Sequence, residues 1–371
     1  MSGTARIIAY YLPQFHPIPE NDEWWGKGFT EWTNAGKARR RFPGHYQPHA
    51  PADLGYYDLR VPETRAAQAE LAKSFGVEAF CYYHYWFAGK RLLNRPFDEV
   101  LASGQPDFPF CLCWANGTWT GIWHGAPNRV LIEQTYPGIE DHRRHFETLL
   151  PAFQDPRYVR VDGKPLFLIW APNKLPDTVA TLALWRTMAR EAGLGDLHFV
   201  AVADAGWARE HGFDGSTFNK VKVGKLPGQV VEYAVFRMLR NLGFPHIQRY
   251  EHQARSMPDV LGADSYPCVI PNWDNTPRSG ARGFVMHGST PELFAAHFRR
   301  VLDLTKDVPR EHRLIFIKSW NEWAEGNHLE PDLRFGLRYL QAVRDCLRYD
   351  ASRKRLIESL EVKAMLENID R

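Results

Sequence analysis

At 371 residues, 44% of them hydrophobic, the chain is long enough for one α/β barrel of ~250 residues with insertions, and it can bury a large core. Its 46 basic and 43 acidic residues leave a net charge of +3, too weak a field to favour a polyanion, so nucleic acid is not an expected partner. Aromatic residues are abundant (13 Trp, 15 Tyr, 22 Phe), and many stand beside Asn, His, Asp and Glu, a composition that suits a ligand-lined cleft.

In chain order, Arg6–Tyr11 reads as a buried strand and residues 63–75 as an amphipathic helix. A strand over 79–83, a short helix over 97–103 and a strand over Phe110–Trp114 follow. Residues 141–150 are helical up to Pro151, 165–170 form a strand, and 177–192 a helix with Asp177 as N-cap. Strands at 197–203, 215–219 and 268–271 precede a helix over Pro291–Leu304, a strand over 313–319 and a helix over 334–347. Eight strands alternating with helices predict a (β/α)8 barrel, a single catalytic domain over 1–350, with a tail helix over 351–371. The competing architecture is a doubly wound open sheet. However, the turn after the first strand, Tyr10-Tyr11-Leu12-Pro13-Gln14, lacks the glycines of a phosphate-binding loop. Two insertions, 13–62 and 220–266, fall where a barrel's C-terminal loops build active sites.

The five cysteines read as small core residues in a reducing compartment. Cys111 and Cys113 share a strand face without a second ligand pair at zinc spacing, so no metal and no cofactor are expected. No leader pattern and no run of 18 apolar residues is visible. The expectation is a cytoplasmic protein without membrane insertion, or a periplasmic or secreted one if a leader has been removed.

Polar and aromatic groups crowd the predicted strand ends. The first carries Tyr10, Tyr11, Gln14 and His16; the second Tyr83, His84, Tyr85 and Trp86; the third Trp114, Asn116 and Trp119, with Trp123 and His124 beyond. The fourth ends in Trp170, and the seventh in Trp273 and Asp274. Any one of these is ordinary packing, but buried polar groups cost stability unless paired, so their gathering at one barrel face points to a site. The segment Asn21–Trp32 adds Trp24, Trp25, Glu31 and Trp32 as a candidate sugar-binding wall.

The densest signal is Ile315–Gly326, where an apolar run ends in Trp320, Asn321, Glu322, Trp323 and Glu325. Two carboxyls beside flat aromatic surface suit glycosidic bond chemistry: one protonates the leaving oxygen and the other supports the oxocarbenium-like centre. Three residues apart on a helical turn, their side chains are neighbours, compatible with a retaining enzyme.

With Ala9–His16, Gly28–Trp32, Phe80–Trp86, Trp114–Asn116, Pro271–Thr276 and Trp320–Gly326 in view, the chain resembles the WbsX-type, family-99-like carbohydrate-active proteins over roughly residues 5–345. The resemblance implies a (β/α)8 barrel. From the related endo-α-mannosidases it implies that Glu322 is the base on a sugar 2-hydroxyl, giving a 1,2-anhydro intermediate, and that Glu325 is the acid/base at the glycosidic oxygen. On this reading Glu325 has the raised pKa and Glu322 is ionised at neutral pH. The expected substrate is an internal linkage of a bacterial surface oligo- or polysaccharide, with subsites at Trp24, Trp25, Trp86, Trp119 and Trp273. The alternatives are a WbsX-type glycosyltransferase of surface polysaccharide (O-antigen) biosynthesis and a non-catalytic glycan-binding barrel. A sugar-nucleotide transferase ordinarily needs a diphosphate site, and the sequence has neither a Gly-rich phosphate loop nor an Asp-x-Asp pair. A binding barrel has no need of both acids.

Overall fold

The computed structural model describes residues 4–121, 126–218, 230–256 and 264–369. Trp123, His124 and part of the 220–266 insertion lie outside the described residues. Nine parallel strands form the central sheet: β1 (Arg6–Tyr11), β2 (Ala79–Phe87), β3 (Phe110–Trp114), β4 (Lys164–Ile169), β5 (His198–Ala201), β6 (Gly215–Thr217), β7 (Ser265–Tyr266), β8 (Cys268–Val269) and β9 (Leu314–Ile317). Their order is β7-β6-β5-β4-β3-β2-β1-β9-β8, so the sheet runs around a barrel and its two ends are consecutive in the chain.

Eight strand positions become nine strands because of Pro267. Proline has no N–H to give to a ladder, and here it interrupts the seventh position. Ser265 and Tyr266 pair with Ser216 and Thr217 of β6, while Cys268 and Val269 pair with Phe316 and Ile317 of β9. The split strand therefore touches both neighbours and brings the barrel nearly to closure.

The helices α1 (Pro62–Ser74), α2 (Arg95–Ser103), α3 (Ile139–Gln154), α4 (Thr178–Glu191) and α5 (Pro291–Leu304) alternate with the strands. Asp177 caps α4 by accepting from Ala180 N at 2.9 Å. α3 continues one turn past Pro151 because Leu149, Ala152 and Phe153 stay buried on one face. The helix expected over 334–347 starts at Arg338 and runs unbroken to Ile369 as α6.

β1 and β2 are buried at every position. Along them the alternating pleat sorts the aromatics: Tyr10 stacks on Tyr83 and Phe316 at 5.5 Å each, whereas Tyr11 packs on Phe80 and Tyr82. Each such fully buried large side chain is worth roughly 1.5–3 kcal/mol, and this rigid floor carries the loops above it.

Candidate active site

Past β9 the chain turns through Lys318-Ser319-Trp320, then pairs Asn321–Glu322 with Asn327–His328 in a tight antiparallel ladder. Between them Trp323–Glu325 form one 3₁₀ turn, ended by Gly326 at φ +65°. A Cβ on Gly326 would come within 3.1 Å of the Asp274 backbone nitrogen, so the closeness of these two loops requires glycine. The loop is anchored to the first strand: Trp320 N donates to Tyr10 O at 2.7 Å. Asn321 holds the Leu12 backbone at both ends, accepting from Leu12 N at 2.7 Å and donating to Leu12 O at 3.1 Å. Trp323 stacks on His328 at 3.7 Å and donates its indole N–H to Glu330 at 2.7 Å.

This arrangement places Glu322 and Glu325 in an open cleft of about 320 Å³. Lys318 Nζ lies 3.7 Å from Glu322 Oε2 and 4.0 Å from Glu325 Oε2, so both carboxyls face one ammonium. That ammonium sits over the Trp170 and Trp273 rings at 4.6 and 4.8 Å. Arg278, from a four-residue helix (Thr276–Ser279), donates to Glu325 Oε1 at 2.5 Å and, through Nε, to Glu31 Oε1 at 2.9 Å. Glu31 opens a short helix (Glu31–Gly36) and is itself 1% exposed.

Burial pushes the Glu322 carboxyl up to about 7; Lys318 opposes the rise and Glu325 adds to it. This corrects the expectation of a fully ionised Glu322 at neutral pH: the apolar surroundings outweigh the lysine. Burial likewise holds the Tyr83 and Tyr85 hydroxyls well above the ordinary tyrosine range, with the Glu322 charge adding to the rise, so both remain neutral hydrogen-bonding groups.

Of the residues singled out from sequence, Gln14, Trp25, Glu31, Tyr83, Tyr85, Trp119, Glu322 and Glu325 line this cleft. Trp24 backs Trp119 edge-on at 5.9 Å, Tyr10 lies beneath Tyr83, and Trp273 supports Lys318. The others are not brought to the cleft. His84 and Trp86 occupy the opposite pleat phase from Tyr83 and Tyr85. They turn outward, His84 to His145 at 2.8 Å and Trp86 to Asp141 at 3.0 Å. Trp114 follows them, packed on His145, and Tyr11 points to Gln68. Trp320 is fully buried against Phe80, and His16 is closed onto Pro13 O. Trp32, Asn321 and Trp323 brace the loops, while Asn116 ties Tyr136 to Ala171 O. Asp274 faces a neighbouring cavity, where His45 and Gln47 hold it.

Trp170, named at the end of the fourth predicted strand, lines the cleft as well, whereas sequence reasoning missed Arg278 and Lys318, the two cations of the cleft among the described residues, and did not place Phe29 and Asn34 in it. Lys318 was legible as a charged residue at the end of an apolar strand. Arg278 gave no signal, because its partners Glu31 and Glu325 lie 247 and 47 residues away.

A family model described as Glycosyltransferase WbsX matches residues 7–343. The relative named Uncharacterized protein WxcX, from two strains of Xanthomonas campestris pv. campestris, is 40% identical over 349 residues. That stretch is 92% of this chain and 50% of the relative, so the chain spans half the length of the curated relatives it matches. Among solved structures, the GH99 endo-alpha-mannosidase from Bacteroides thetaiotaomicron is similar, with a TM-score of 0.56 at 15% identity over 94% of this chain and 98% of that one. A glycoside hydrolase-like protein gives 0.57 at 16%, over 93% and 94%. At these identities the structural likeness is one of fold.

Proposed function

We propose that this chain, which belongs to the WbsX glycosyltransferase family and so to the carbohydrate-active enzymes, is a retaining glycoside hydrolase that cuts internal linkages of a surface polysaccharide. The observation that carries the reading is the pair Glu322 and Glu325, buried at 5% and 6% exposure, facing one ammonium in an aromatic-walled cleft. Buried carboxyls are costly, and a site that keeps two beside Lys318 and Arg278 is equipped to hold and move a proton.

In the first step Glu322 takes the proton of a sugar 2-hydroxyl, whose oxygen bonds to the anomeric carbon. The glycosidic bond breaks, and Glu325 gives its proton to the departing oxygen. In the second step water adds to the anomeric carbon as the bond from that carbon to the 2-oxygen breaks; the water gives a proton to Glu325, and Glu322 gives its proton back to the freed 2-oxygen. The reaction needs one proton in the pair, residing on Glu325 when the substrate reacts. A base whose pKa stands near 7 is matched to this work at neutral pH. Arg278 holds Glu325 by Oε1, and Oε2 has no hydrogen-bond partner among the described residues. Trp25 and Trp119 offer flat faces for sugar rings.

The family's description favours a second reading, transfer from a nucleotide sugar. Incubation with a panel of polysaccharides, with and without nucleotide sugars, and mass spectrometry of the products separates the two. Shorter oligosaccharides formed without a donor are expected. Chain extension that consumes a donor and releases nucleotide would overturn the hydrolase.

A further inference from the structure

Behind the catalytic loop, beyond Trp323, lies a second cavity of about 100 Å³ whose lining includes His45, His49, Asp274, His328 and Asp332. The glycosidase reading gives these residues no task. Two segments are zipped together along it: Ala52 N donates to Pro331 O and Leu333 N to Ala50 O, both at 2.9 Å. That pairing brings His49 beside His328 and Asp332, and all three are buried.

We propose that His49, His328 and Asp332 form a binding site for a divalent first-row transition metal ion. One ligand atom from each lies within 4.8 Å of the other two. His328 Nδ1 is 2.9 Å from Glu330 O; a carbonyl only accepts, so the hydrogen is on Nδ1 and Nε2 carries a lone pair, which accepts from His49 Nδ1 in the absence of an ion and could ligate one. The same backbone-carbonyl bond orients metal-bound histidines generally. Nε2 of His328 stands 2.9 Å from Nδ1 of His49. Two metal–nitrogen bonds of about 2.05 Å at a right angle put their nitrogens about 2.9 Å apart. Asp332 Oδ1 accepts from Arg334 N at 2.9 Å and Phe335 N at 2.6 Å, and Oδ2 stands 4.0 Å from His328 Nε2. With bonds of ordinary length, that distance sets Asp332 at about 150° from His328 across the ion. The geometry is thus octahedral-like and distorted, with nitrogen and oxygen donors, which suits first-row divalent ions. A water needs only about 10–15 Å³ of such space, so the cavity has room to complete the coordination with solvent. Both rings are already fixed, His328 on Trp323 at 3.7 Å and His49 on Tyr46 at 4.1 Å. An ion here would tie the 44–52 segment to the strand that follows Glu325, bracing the catalytic turn without touching the sugar.

The test uses the full chain, stripped with a chelator and titrated with Co²⁺ while visible d–d absorption is followed, then with Zn²⁺ to displace it. Saturation near one equivalent is expected, with a rise in melting temperature. His328→Gln and Asp332→Asn should each weaken binding at least ~10-fold. Near-UV circular dichroism verifies that the variants fold, and Glu325→Gln should bind the ion like the parent, whatever the reaction proves to be. Absence of a Co²⁺ band in the unmodified protein, or binding unchanged in both folded variants, would overturn the site and leave only an imidazole–imidazole hydrogen bond. The wild-type titration decides the matter even if a variant misfolds.

Discussion

Replacing Glu322 by Gln should make the protein more stable at neutral and alkaline pH while abolishing turnover. The carboxyl is 5% exposed, and burial raises its pKa from 4.5 to about 7. Below about pH 4.5 it is protonated in the folded and the unfolded chain alike, and its full contribution to stability is present. As pH rises toward 7 the unfolded chain releases the proton first, so this contribution declines and is lost as pH passes through the folded value. A rise of roughly 2.5 units at 1.36 kcal/mol each comes to about 3 kcal/mol. Glutamine has no proton to lose. The advantage of Glu322→Gln over the parent should therefore be small near pH 4.5 and grow to about 3 kcal/mol, roughly 3–6 °C in melting temperature, by about pH 8.5. Thermal melts of both proteins in matched buffers across that range measure it. A difference that stays constant with pH, or that shrinks as pH rises, would refute the claim that a desolvated carboxyl sits on the cleft floor.

Glu325→Gln should lower kcat on the natural glycan by a factor of about 10²–10⁴ and much less on a substrate whose leaving group needs no proton. Steady-state kinetics on both substrates check this, and equal losses would remove Glu325 from the acid role. Trp86→Phe deletes the bond to Asp141 and should cost about 1 kcal/mol of stability while leaving glycan affinity unchanged. Trp119→Ala, on the cleft wall, should weaken glycan binding markedly; calorimetry on the two variants tests which side of the barrel wall each tryptophan serves.

What the sequence disclosed follows the range of the interactions. The strand β1, the helix α5 and the barrel class were legible because they rest on local periodicity. The polar cluster after β9 was legible because charged residues at the end of an apolar strand contradict a plain core. The alternation along β2 is also visible in sequence, yet reading every aromatic at its end as a ligand contact ignored the pleat, which sends Tyr83 and Tyr85 one way and His84 and Trp86 the other. Arg278, and the meeting of His49 with His328 across 279 residues, were not legible, because only the folded loops bring such partners together.

The pairing of β1 with β9 also bears on how the molecule is made. Leu12 and Asn321, which lock the loop bearing Glu322 and Glu325 to the first strand, are separated by 309 positions. At synthesis rates of ~5–20 residues per second, roughly 15–60 s pass between the emergence of the two strands. Through that interval the apolar edge of β1 lacks its neighbour and invites pairing with other chains, a hazard that chaperones ordinarily absorb. When β9 arrives and pairs with β1, the loop bearing Glu322 and Glu325 reaches its place against the first strand.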